Sequence, residues 1–122
     1  MREIVVKERT FLWSYHFDDS DYQLDSKIVI KDNDRKGKMI IMFHTEDFGH
    51  GYCPFNKGLR ATKDGEEVTI NLNQPRFIAE ILVYILDTRL HDNGFDTTLE
   101  YNDGLKILNG LGYVFDYKLN WI

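Results

Sequence analysis

Apolar and polar residues alternate along "TFLWSYHF", which puts Phe11, Trp13, Tyr15 and Phe17 on one face and Leu12, Ser14 and His16 on the other. That period of two is the mark of a half-buried strand. Upstream, Ile4 and Val6 alternate in the opposite phase, so a bulge or turn at "KERT" has to reset the register. Residues 18–26, "DDSDYQLDS", are polar and acidic and read as a connecting loop.

"SKIVIK" and "KMIIMFHT", joined by "DNDRKG", form the next pattern. With Lys31 opposite Lys38, Ile30 faces Met39 and Ile28 faces Ile41, so apolar side chains meet on one face of a hairpin. Gly37 is expected to supply a positive φ in its loop. The run Met39 to Phe43 is apolar at every position, as in a strand covered on both faces. In "LRATKDGEEVTINL", Asp64-Gly65 is a type I′ turn signal. It sets Ala61 opposite Val68 and Leu59 opposite Ile70, with Leu72 on the same face.

"NQPRFIAEILVYILDTRLHDNG" predicts a long helix, capped by Asn73 or Gln74, with Pro75 in its first turn. Asn93 or Gly94 is expected at its left-handed C-terminal position. Its apolar residues leave little polar face, so the helix must be sandwiched by its own chain or by a second one. "TTLEY" reads as a short strand and "DGLKILNGLG" as a helix of two to three turns. The closing "YVFDYKLNW" alternates, with Tyr113, Phe115, Tyr117, Leu119 and Trp121 on one face. The order implies an α+β fold with a mostly antiparallel sheet built from hairpins. One long apolar helix and a short C-terminal helix would pack on one side of it. A chain of 122 residues without repeats or low-complexity stretches fits a single domain over 1–122.

Composition narrows the function. A lone cysteine cannot close an intramolecular disulfide. The start "MREIVVKERTF" lacks a signal-peptide core, and "FIAEILVYIL", broken by Glu80, is about half the roughly 20 residues of a bilayer span. The expected setting is therefore cytoplasmic, with no membrane. Of the net charge of −5, residues 1–30 carry four basic and six acidic side chains, 31–64 seven and five, and 65–122 four and nine. So weak a basic excess disfavours nucleic acid as a partner.

The densest set of ligand-type residues is "HTEDFGHGYC". His44, His50 and Cys53 offer nitrogen and sulfur ligands for zinc, with Glu46 or Asp47 as a fourth, although the spacing matches no two-knuckle zinc signature. His16 and Asp18 would join them if the first aromatic strand lay beside the one ending in His44. Cys53 followed by Pro54 is poorly placed as a nucleophile with His50 as its base. His91 suits the dipole at a helix C-terminus. As calcium loops, "DDSDYQLD" lacks the sixth-position glycine and has Ile30 at the twelfth position counted from Asp19, and "DNDRKG" puts the repelling Lys36 at its fifth; no phosphate-binding or nucleophile-turn motif occurs.

Most of the aromatic residues are expected in the core, and Tyr22, Tyr52, Phe55 and Trp121, in loops and at the chain end, are either partly covered rings or interface anchors. The sequence therefore favours a small acidic binding protein without catalytic residues. It would act through protein–protein contacts, in the manner of an inhibitor, immunity or adaptor protein, or through assembly as a homo-oligomer such as a homodimer. The alternative is a metal-binding or metal-dependent hydrolytic protein using the His44-His50-Cys53 loop.

Overall fold

The computed structural model describes residues 1–18, 23–46 and 58–115. The chain folds as one small α+β domain. Among the described residues eight strands, β1 (Arg2–Val6), β2 (Arg9–Asp18), β3 (Gln23–Asp32), β4 (Lys38–Glu46), β5 (Leu59–Lys63), β6 (Glu66–Ile70), β7 (Thr98–Tyr101) and β8 (Val114–Phe115), accompany helices α1 (Pro75–Thr88) and α2 (Gly104–Gly110). The strands divide between a five-stranded sheet, ordered β1-β2-β3-β4-β7, and a three-stranded sheet, ordered β6-β5-β8. Every pairing is antiparallel except β4 with β7.

Register follows the hydrophobic pattern. Ile28 pairs Ile41, Ile30 pairs Met39 and Lys31 pairs Lys38, while Leu59 pairs Ile70 and Ala61 pairs Val68. Asp64 and Gly65 both have positive φ, 55° and 80°, as the type I′ turn demands. The predicted phase change near "KERT" is a two-residue turn. Val6 pairs Arg9, and Lys7 and Glu8 occupy the left-handed region at φ 53° and 64°. Side chains with a Cβ are strained there. Lys7 is held by ion pairs to Asp87, in the last turn of α1, and to Asp92 beyond it.

Several local expectations are corrected. Of the loop expected over 18–26, Asp18 belongs to β2 and residues 23–26 to β3. Gly37 does not have a positive φ. A Cβ there would stand 2.8 Å from Cδ2 of Phe95 and would overlap the Phe95 carbonyl group, so close backbone approach is what requires glycine. At the end of α1 the left-handed positions belong to His91 and Asp92 rather than Asn93 or Gly94. The helix closes at Thr88, and the Asp92 amide donates to the Leu86 carbonyl at 2.7 Å. At its start Pro75 occupies the first turn as expected, but the N-cap residue Gln74 makes no side-chain capping bond.

The core joins one face of each sheet to α1. Phe11, Trp13, Ile28, Ile30, Met39, Ile41 and Phe43 from the larger sheet meet Phe77, Ile78, Ile81, Leu82, Ile85 and Leu86 of α1, with Leu59, Ala61, Ile70 and Leu72 from the smaller one. Ala79, Val83 and Tyr84 pack against the same core. The chain thus supplies the cover that the nearly all-apolar helix needs. Arg89, the C-cap of α1, grips Asp103, the N-cap of α2, through two guanidinium bonds of 3.1 and 2.6 Å. No helix among the described residues is long and apolar enough to cross a membrane.

Candidate interaction surface

Strand alternation and cross-strand register define what lies on the other face of the five-stranded sheet. One row across it reads Glu3, Leu12, Lys31, Lys38, Thr98, and the next reads Ser14, Val29, Ile40, Glu100. His16, Lys27 and Met42 form a third row. Leu12, Val29, Ile40 and Met42 are half-buried, whereas their strand neighbours on the core side are fully buried. On β1 the same alternation leaves Val5 68% exposed. The apolar run Met39 to Phe43 is therefore fully covered on one face and only partly on the other. What results is a face with an apolar centre, bordered by Lys27, Lys31 and Lys38 and by Glu3 and Glu100.

Of the residues singled out from sequence, His44 lies near the end of β4, half-buried and on this open face. His16 lies on β2, exposed, with Nε2 2.8 Å from the Ser14 hydroxyl. β2 and β4 are not neighbours, since β3 runs between them. Lys27 pairs with both His16 and Met42, so His44 lies two strands across and two residues along from His16, roughly 12 Å between Cα atoms. Asp18 pairs Asp25, which pairs His44. Among the described residues, no group of three or more His, Cys, Asp or Glu is placed to hold a metal ion. His50 and Cys53, which the zinc reading needs, lie outside the described residues, as do Tyr22, Tyr52, Phe55 and Trp121.

A second polar cluster lies on the smaller sheet. Glu80, the acidic residue within the apolar helix, has its carboxylate 2.8 and 2.9 Å from the Tyr113 hydroxyl, which donates to it, and 3.0 Å from Lys63 Nζ. Lys63 also sits 4.7 Å above the Tyr113 ring. Burial first, and then the bond to Glu80, push the Tyr113 hydroxyl above its ordinary range, so it remains a neutral donor. The cluster borders an open cavity of about 550 Å³ that also meets Arg76, Glu66 and Thr69. Its charges largely satisfy one another, and it ties the smaller sheet to α1.

The lysines of the open face are what sequence reasoning passed over. Lys31 and Lys38 serve there only to set the hairpin register. The signal was their direct opposition, because like charges paired across strands oppose folding. Comparison with protein-family models, curated proteins and solved structures finds no match to this chain.

Proposed function

We propose that this chain is a non-catalytic binding protein of the inhibitor, immunity or adaptor kind, and that it engages a protein partner through the open face of its five-stranded sheet. The observation that carries this reading is the half-buried apolar centre formed by Leu12, Val29, Ile40 and Met42 within a polar rim. An apolar core with a polar border is how protein interfaces are built. Neither helix is needed for the contact, because the core already occupies both.

Affinity isolation from source-cell extract tests the reading. Three baits are compared: the native chain, an Ile40→Asp/Met42→Asp variant and a Val114→Asp control on the smaller sheet. A protein retained by the native chain and the control, and lost with the double variant, is the expected result. Identical retention by all three baits would overturn the proposal. Sedimentation equilibrium of the same proteins reports whether the partner is a second copy of the chain.

A further inference from the structure

The turn between β3 and β4 concentrates positive charge on a chain whose net charge is −5. Lys31 and Lys38 are directly paired across the ladder, and Lys36 lies in the turn between them. Two of the carboxylates around them are already engaged, while Asp34, in the same turn, has no ion pair among the described residues. Asp32 is 2% exposed, is ion-paired to Arg9 and accepts the Asp34 amide at 3.0 Å. Asp96 is bound by Arg35 at 2.9 Å. Arginines thus take both acids, and among the described residues Lys31, Lys36 and Lys38 have no ion-pair partner. Among the described residues Glu3 and Glu100, on the same face, form no ion pair either.

Two contacts hold the turn that brings the two lysines together. Gly37 is pressed against the backbone of Phe95, and the buried Asp32 is fixed beneath Arg9. Between the lysines and Thr98 lies an open cleft of about 420 Å³, with Leu12 and Asn33 on its wall. Val29 and Ile40 form the next row of the same face, two residues along from Lys31 and Lys38. An anion seated in the cleft would meet two ammonium groups, while a neighbouring apolar side chain would cover the strip formed by Val29 and Ile40.

We infer that this cleft is an anchor for carboxylate side chains, and that the segment it accepts alternates acidic and apolar residues. The inference rests on the binding role proposed above and adds the chemistry of the partner. Charge complementarity selects an anion. A nucleic acid is the poorer fit, because the face carries no Phe, Tyr or Trp among its described residues on which a base would stack. The acidic remainder of the chain also repels a phosphate backbone.

Fluorescence anisotropy with a fluorescein-labelled Glu-Leu alternating octapeptide tests this, beside a Lys-Leu octapeptide and a single-stranded DNA oligonucleotide of similar length. The Glu-Leu peptide is expected to bind, and to weaken by about tenfold or more between about 25 and 250 mM salt. Lys38→Glu turns the repulsive pair into an attractive one, so its melting temperature should match or exceed that of the native chain. The same variant should weaken peptide binding by about tenfold. Absence of peptide binding at low salt, unchanged binding by Lys38→Glu, or tighter binding of the oligonucleotide would each overturn the anchor. If the peptide fails while partner retention still depends on Ile40 and Met42, the anchor is wrong and the face reading stands. If the peptide binds as expected but no partner depends on those residues, the face reading fails on its own.

Discussion

Replacing Gly37 with alanine places one methyl group where the structure has no room. The added carbon would overlap the main-chain carbonyl of Phe95 and lie 2.8 Å from its ring. No rotamer change removes a clash with backbone, so either the β3–β4 turn or the Phe95 segment has to move. Phe95 is 3% exposed and stacks on Phe11 at 6.3 Å between ring centres. Overpacking of this kind costs about 1–3 kcal/mol, and disturbing an aromatic pair adds about 1 kcal/mol. A loss of about 3 kcal/mol is expected. In urea, with a slope of about 1.5 kcal/mol/M, the midpoint should fall by about 2 M. The melting temperature should fall by about 10 °C.

Gly65→Ala is the internal control. Gly65 has φ 80° with no atom within 4 Å of an added Cβ, so only left-handed strain of about 1 kcal/mol applies. Equilibrium unfolding followed by circular dichroism compares the two variants. If Gly37→Ala lost no more stability than Gly65→Ala, the account of Gly37 as a point of close approach would be refuted.

Two further outcomes follow from strain and charge. Glu8→Gly relieves a left-handed residue in the β1–β2 turn, worth about 1–2 kcal/mol, against about 0.5–1 kcal/mol of added chain entropy. Thermal unfolding should show a net gain of about 0.5–1 kcal/mol, and a loss would contradict the strain assigned to that turn. The hydrogen bond from Arg89 holds the Asp103 carboxyl below its ordinary range. Its stabilisation is therefore present above the unfolded value of about 3.9 and disappears as pH falls through the folded one. Urea midpoints measured from about pH 6 down to about pH 2 should fall less steeply for Asp103→Asn than for the native chain. Parallel curves would contradict this.

Local signals made much of the fold readable. The Asp64-Gly65 turn and the Lys31–Lys38 pairing are settled by side-chain period and by one turn type, both of which act within about ten residues. The β1–β2 turn was not readable as a type I′ turn, because Lys7-Glu8 carries no glycine or asparagine. Its ion pairs reach Asp87 and Asp92 across the fold. Period also assigns residues to faces but not strands to neighbours, so the split into two sheets and the parallel β4–β7 pairing had no local signal. The interaction face shows the same limit. Leu12, Val29 and Ile40 come from three strands and become one apolar strip only when the sheet order is known. The aromatic and histidine residues that draw the eye in the sequence are individually conspicuous, whereas the lysines matter only as a set brought together by pairing.

In the proposed function the open face of the five-stranded sheet, and not the smaller sheet, touches the partner. Site-specific photocrosslinking in cells tests this most directly, with a benzophenone side chain placed at Ile40 in one version of the chain and at Val114 in another. Ile40 lies at the centre of the face, and Val114, 62% exposed on β8, lies on the other sheet. A discrete protein adduct is expected from position 40 and none from position 114. An adduct from position 114 with none from position 40 would contradict it.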